Sequence, residues 1–399
     1  MDTAKGAAPL NILTLNSISR VGLDRLPAER YALGAKIESP EAILVRSHDM
    51  HKMQIPESVR AIGRAGAGTN NIPVAAMSQR GVPVFNAPGA NANAVKELVL
   101  AGMLMAARNL VPAIGFAEGL QGNDEQIHRA VEDGKKDFAG IELPGQVLGI
   151  IGLGRIGSLV ADAAIKLGMQ VLGYDPEITV DAAWSLPSQV RKAQSVEDVL
   201  RNSDFVTLHV PLLEATRNLV DARRVGLMKP GAVLLNFSRE GIVANAPVLE
   251  ALAAGRLRAY VCDFPSADLK GVPRVIATPH LGASTREAED NCAVMVVDQV
   301  RDYLENGNIR NAVNFPEVVM SRESPYRLGI ANANVPNMVG QISTAMAQAG
   351  LNIHNMLNKS KKDMAYTLVD VDSPVGRPVL DAIAAIEGVL AVRYLPVRA

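Results

Sequence analysis

The sequence is short of several things at once. It has two cysteines, Cys262 and Cys292, in 399 residues. That is too few for a disulfide framework and fits a reducing cytoplasm. It has almost no net charge, with 40 basic against 41 acidic residues and a formal −1 at pH 7. A global pull toward nucleic acid or anionic membrane is thereby excluded, so any anionic ligand must be met by locally placed arginines. No apolar run reaches the length needed to span a bilayer, and the opening MDTAKGAAPL lacks a signal-peptide core. A soluble, cytoplasmic protein without a membrane partner is the expectation. His48, His51, His128 and His354 show no metal-ligand spacing, and no metal is expected. Aromatics make up 4% of the chain against 48% hydrophobic residues, a balance typical of a compact α/β enzyme of two or three domains.

What is present begins with Val147–Pro176. An apolar run, Val147–Ile151, reads as a buried strand. Gly152, Gly154 and Gly157 follow in GxGxxG spacing, a helical pattern runs to about Gly168, and a second apolar run, Val171–Tyr174, ends in Asp175. The first glycine permits a tight turn, the second a close backbone approach to pyrophosphate, the third close helix–strand packing. The helix start offers free N–H groups to phosphate. Asp175, roughly 20 residues on, can accept hydrogen bonds from a ribose, and its charge repels the extra phosphate of NADP. A GxGxxG alone is weak, but here strand, helix, second strand and terminal acid fall in register. The cofactor read from this stretch is NAD.

Further strands are expected at Asn11–Leu15, Ala42–Val45, Val59–Ile62 and Val82–Phe85, and then at Phe205–Leu208, Val233–Asn236, Tyr260–Asp263 and Val275–Thr278. Helical patterns lie between them, including Asn93–Arg108 and Glu287–Gly307. This alternation predicts doubly wound parallel sheets. The last stretch reads βαββαβ, a ferredoxin-like split βαβ. Strand ends after the glycine turn carry His209-Val210-Pro211, Asn236-Phe237-Ser238-Arg239, Asp263 and Thr278-Pro279-His280. One guanidinium and one imidazole on separate strand ends suit hydride transfer on a 2-hydroxy acid. Arg239 can grip a carboxylate bidentately, and His280 can exchange the hydroxyl proton. Read from the residues alone, such an arginine is more often a surface charge and such a histidine a loop hydrogen-bonder. His209 suits cofactor contact better than catalysis, and Cys262 reads as buried bulk.

The segments NFSREG (236–241), ATPHLGAST (277–285), GLGRIG, ILVRS, GRAGAG and NAPGAN together resemble the D-2-hydroxyacid dehydrogenases, across nearly the whole chain. The resemblance is nearest to members that oxidise 3-phosphoglycerate with NAD at the head of serine biosynthesis. It implies a Rossmann-type cofactor domain (91–282), a discontinuous flavodoxin-like substrate domain (1–90 and 283–315), a linker (316–325) and a C-terminal ACT regulatory domain (326–399). It implies that Arg239 binds carboxylate and carbonyl and that His280 is the acid/base. Gly152, Gly154, Arg155, Ile156, Gly157 and Asp175 would hold pyrophosphate and ribose. His209, Val210, Pro211, Ser238, Asp263 and Gly282 would line the rest of the cofactor site. Arg46, Ser47, Gly66 and Ala67 would face the substrate, with Arg46 toward its phosphate. Asn332, Asn334 and Asn352 would be candidates for an L-serine effector, and a homodimer or homotetramer is implied.

The family's catalytic glutamate has no counterpart between Arg239 and His280 at its usual place. Asp268, five positions after Asp263, is the candidate replacement on a shortened loop. Asn70 stands where an aspartate is common, and Asn337 where a glycine follows Pro336. Another 2-oxo acid as substrate (hydroxypyruvate or 2-oxoglutarate), or a non-catalytic NAD and amino-acid sensor, are the alternative expectations.

Overall fold

The computed structural model describes residues 8–397. The chain forms two compact units, one from residues up to Asn91 together with those from Arg286 onward, the other Ala92–Thr285.

In the first unit, short apolar runs bounded by polar turns become the strands β1 (Leu10–Leu15), β2 (Tyr31–Gly34), β3 (Ala42–Val45), β4 (Ala61–Arg64) and β5 (Val84–Phe85). They pair in parallel in the order β2-β1-β3-β4-β5, the flavodoxin-like order. β3 is buried on every residue, as a strand covered on both faces must be. β2 is not anticipated by the sequence pattern. Only Tyr31 of its four residues is fully buried, so the period is too short to read. The helix Arg286–Asn306 covers this sheet through Ala293, Val296, Val297 and Val300. It ends where Gly307 takes φ +74°, a conformation that suits glycine.

The second unit holds β6 (Val147–Ile151), β7 (Gln170–Tyr174), β8 (Arg191–Lys192), β9 (Phe205–Leu208), β10 (Ala232–Asn236), β11 (Leu257–Cys262) and β12 (Val275–Ala277). Their order is β12-β11-β10-β9-β6-β7-β8, parallel throughout. The order reverses between β6 and β9, which opens a crevice beyond their carboxyl ends. β8 is two exposed charged residues at the sheet edge, which no hydrophobic pattern reveals.

The C-terminal stretch of the first unit forms β13 (Tyr326–Ala333), β14 (Ile353–Lys361), β15 (Met364–Val371) and β16 (Val389–Pro396). They pair antiparallel in the order β14-β15-β13-β16, with helices Met338–Gln348 and Arg377–Ala384 as the two α elements of βαββαβ. Ala331, Tyr366 and Leu368 join the same apolar cluster as Ile12, Tyr31 and Val300. Residues 316–325 are bonded in place: Val318 exchanges hydrogen bonds with Ile309, and Ser324 Oγ donates to the Val371 carbonyl.

Among the described residues no single helix is long and apolar enough to cross a membrane.

Candidate active site

In the second unit the glycine turn sits at the point where strand order reverses. Gly152 leaves β6 at φ +96°, and a Cβ there would lie 2.5 Å from the His209 carbonyl oxygen at the end of β9. A Cβ on Gly157 would stand 2.0 Å from the Gly152 oxygen. Gly154 is different, with nothing within 4 Å of its would-be Cβ. It begins the helix Arg155–Lys166 and provides no side-chain cap, so the first-turn N–H groups of Arg155, Ile156 and Gly157 remain available to an anion. Asp175 closes the cradle: it accepts from Leu153 N at 2.8 Å and from Glu177 N at 3.0 Å. These residues fit a dinucleotide: two glycines are forced by backbone proximity, while the third leaves an open face.

Around that crevice, His209 Nε2 is 3.0 Å from Thr207 Oγ1, and Nδ1 has no hydrogen-bond partner among the described residues. Burial drives its pKa down to about 3, so the ring is neutral. Val210 follows beside Gly152, and the Pro211 carbonyl accepts from Thr216 Oγ1 at 2.6 Å. Ser238 is buried, and its N–H donates to Asn236 Oδ1 at 3.2 Å. Arg239 follows β10 with its guanidinium turned back on the Ser238 carbonyl at 2.6 Å, while Asn236 Nδ2 holds the Arg239 carbonyl at 3.0 Å.

The turn after β12 is built around Asp263, a 1% exposed carboxylate. Oδ1 accepts from Thr278 Oγ1 and from Leu281 N, both at 2.7 Å, and Oδ2 accepts from Gly282 N at 2.8 Å. Its carbonyl also accepts from His280 N at 3.1 Å. Bonds on either side thus hold His280 at φ +57°, a left-handed conformation costing a non-glycine residue about 1 kcal/mol. The exposed His280 ring meets Phe264 edge-on, centroids 5.1 Å apart. Asp268 points elsewhere. It accepts from Ser266 Oγ and from Asn245 Nδ2 at 3.1 Å, and these bonds lower its pKa. No hydrogen bond or ion pair joins Asp268 to His280 among the described residues.

The first unit holds the other candidates. Arg46 leaves β3 and pairs with Glu289 of the helix Arg286–Asn306 at 2.6 Å. Ser47 N and His48 N both donate to Asn16 Oδ1, which shapes that turn. Gly66 takes φ +150°, and a Cβ there would stand 1.8 Å from the Arg64 guanidinium. The Ala67 carbonyl accepts from Asn86 Nδ2 at 2.6 Å. Glu289 and Asn16 escape sequence reasoning, because each acts on a partner that only the fold brings near.

In the C-terminal sheet, Asn332 is 1% exposed, with Oδ1 unpartnered among the described residues. Asn334 Nδ2 donates to the Lys362 carbonyl at 3.0 Å. Asn352 instead bonds Asp372 at 3.0 Å. It precedes β14, whose start pairs with the end of β15, so Asn352 lies at the opposite end of the sheet from Asn332 and Asn334. The three do not form one site within a chain.

Residues 103–282 match the family described as D-isomer specific 2-hydroxyacid dehydrogenase, NAD binding domain. The chain is 34% identical over 353 residues to D-3-phosphoglycerate dehydrogenase of Escherichia coli K12, covering 85% of this chain and 82% of that one. It is 33% identical to the Haemophilus influenzae enzyme of the same name, over 84% of this chain and 81% of the relative. With the Methanocaldococcus jannaschii enzyme of that name it shares 35% identity over 79% of this chain, spanning only 59% of the longer relative. A Thermus thermophilus crystal structure matches 76% of this chain at TM-score 0.62 and 26% identity, over its full length. NAD+-bound 3-phosphoglycerate dehydrogenase of Entamoeba histolytica shares the fold at TM-score 0.58 and 23% identity, over 77% of this chain and 99% of that one.

Proposed function

Because the chain belongs to the D-isomer-specific 2-hydroxyacid dehydrogenase family, we propose that it oxidises 3-phospho-D-glycerate to 3-phosphohydroxypyruvate with NAD, the opening step of phosphorylated serine synthesis. One observation carries the reaction type. A glycine cradle at the switch point, an arginine after β10 and a histidine after β12 stand on one parallel sheet, at the carboxyl ends of its strands. The relatives of the same name over four fifths of their length choose the substrate.

When bound, the cofactor supplies the hydride acceptor. The N–H groups of Arg155, Ile156 and Gly157 would hold its pyrophosphate, and Asp175 its adenosine ribose. Arg239 swings from the Ser238 carbonyl to take the substrate carboxylate bidentately and to polarise the C2 oxygen. His280 receives the C2 hydroxyl proton as the hydride departs and returns it in the reverse reduction. Asp263 keeps the His280 turn in place and Gly282 close. Arg46 receives the phosphate, releasing Glu289.

Purified protein given NAD and 3-phosphoglycerate at alkaline pH should generate NADH absorbance. Absence of any signal across 2-hydroxy acids would overturn the enzyme reading. The grip of Glu289 on Arg46 at 2.6 Å favours a second reading, an unphosphorylated substrate such as hydroxypyruvate or 2-oxoglutarate. Replacing Arg46 by alanine separates the two, since only activity on a phosphorylated substrate should collapse.

The C-terminal βαββαβ module reads as an ACT domain, and its asparagines suit L-serine only where the opposite ends of two sheets meet. Adding L-serine to the same assay tests this. Leu104, Leu110, Val111 and Ile114 are exposed apolar residues on helices Ala92–Ala107 and Leu110–Glu118; they support a homodimer built through that face, extended to a tetramer by the C-terminal modules. Size exclusion returning a stable monomer would contradict it. Two free, buried cysteines accord with the cytoplasm.

A further inference from the structure

A cavity of about 550 Å³ opens within the first unit, where the five-stranded fold, the end of helix Arg286–Asn306 and the last strand β16 converge. Among the described residues that line it are four arginines, Arg30, Arg60, Arg322 and Arg393, and one carboxylate, Glu305. Arg60 has interactions of its own, and the two arginines of consequence are Arg322 and Arg393. That carboxylate is already committed. It accepts from Tyr31 Oη at 2.6 Å and pairs with Arg30 at 3.4 Å.

Arg322 and Arg393 are held by neutral acceptors instead. Arg322 donates to the carbonyls of Leu395 at 2.9 Å and Glu305 at 3.0 Å. Arg393 donates to those of Tyr303 and Leu304, both at 3.2 Å, with its guanidinium 4.5 Å from the Tyr303 ring centroid. The Nε of each is buried without a hydrogen-bond partner, and neither forms an ion pair within 4.0 Å among the described residues. Carbonyls fix the direction of these side chains but do not neutralise them. Burial and the like charge of Arg327 lower the Arg322 pKa, with Asp370, the ion-pair partner of Arg327, opposing them only in part. Partly buried charge left unpaired is costly, and an anion in the cavity would remove that cost.

We propose that this cavity binds one small organic anion bearing a carboxylate or phosphate group. Planar guanidinium forks match both groups, and the volume lies in the range of small-molecule pockets. Such a ligand would bridge β16 to the end of the long helix, tying the C-terminal sheet to the substrate fold. The site is separate from the effector candidates, since Asn332, Asn334 and Asn352 do not line it.

The test is isothermal titration of the full chain carrying Arg46→Ala and Arg239→Ala, which removes the anion-binding side chains proposed for catalysis, with saturating NAD present to fill the glycine cradle. Inorganic phosphate and citrate serve as probes at constant ionic strength. One saturable site per chain is expected, weakened about tenfold or more by Arg322→Ala. Arg30→Ala, at the more exposed rim, should weaken it in the same direction while disturbing the fold less. Tighter citrate assigns the ligand to carboxylates, tighter phosphate to phosphoryl compounds. Absence of saturable binding by both probes, or binding indifferent to both arginine replacements, overturns the proposal. Because no turnover is read, the outcome is independent of which substrate the enzyme uses.

Discussion

Two aspartates are almost wholly removed from water, and they are satisfied in opposite ways. Asp370, in β15 of the C-terminal sheet, is 0% exposed and meets Arg327, also 0% exposed, through two bonds of 2.6 and 2.8 Å. The guanidinium then spends its remaining donors on the carbonyls of Asn306, Met320 and Ser321, at the end of the long helix and the segment after it. Asp263 forms no ion pair among the described residues. Its oxygens are filled by a threonine hydroxyl and two backbone N–H groups of the turn that carries His280. The first arrangement cancels charge to lock a module in place. The second uses neutral dipoles to fix the backbone conformation of the turn that carries His280.

The sharpest way to break this contrast is to remove each carboxylate. Asp370→Ala strands a buried guanidinium and should cost about 3–5 kcal/mol of stability, read as a lower denaturant midpoint. Activity per folded molecule should barely change. Replacing both partners with apolar residues of similar volume should cost less than the single change, since no charge is left alone. A loss under about 1 kcal/mol for Asp370→Ala would mean that water reaches the pair. Asp263→Ala should reverse the ranking. Its stability loss should be about 1–3 kcal/mol, the cost of buried donors left unmet. With the His280 turn released, turnover should fall roughly a hundredfold, the penalty of an ångström-scale misplacement. Asp263→Asn should fall between, because an amide nitrogen cannot accept from Gly282 N–H. Unchanged turnover in Asp263→Ala would show that the turn holds itself.

His209 offers a milder probe of the same cofactor crevice. Burial lowers its pKa to about 3, against roughly 6.5 in an unfolded chain. Between these values the unfolded chain binds a proton that the native state refuses. Stability therefore falls as pH drops below about 6.5, by up to about 1.4 kcal/mol per pH unit from this group. His209→Gln should flatten the Tm against pH curve between about pH 6 and 4, within the window set by those two values. If both proteins lose stability in parallel there, the imidazole is not the group responsible.

Much of the fold is legible in the chain because its signals are local. Val147–Ile151, Phe205–Leu208 and Met364–Val371 carry apolar runs that end where the strands end, and the glycine spacing is a requirement of one short turn. What escapes the sequence depends on distant pairing. Glu289 reaches Arg46 across 243 positions, so nothing beside Arg46 announces that its guanidinium is occupied. Asn352 reads as a companion of Asn334, yet an antiparallel partner carries it to the far end of the sheet. Short edge strands such as Arg191–Lys192 bury nothing and leave no pattern.

Asp268 lies between these cases, and the smallest expected effect belongs to it. Sequence position alone, five residues after Asp263, makes it the candidate partner of His280. The folded loop gives its carboxylate to Ser266 and to Asn245 of the helix Asn245–Ala253, and those bonds hold it ionised below the usual range. A carboxylate engaged in this way anchors the loop to a helix and does not orient an imidazole. Asp268→Asn should therefore leave turnover within about threefold, as for an exposed substitution, and leave the acid limb of the pH–rate profile where it was. Were Asp268 to steady the charged form of His280 in the closed enzyme, its loss would move that limb toward lower pH as turnover fell. A shifted limb together with a large fall would restore it to the catalytic set, whereas a fall without a shift would mark only a loosened loop.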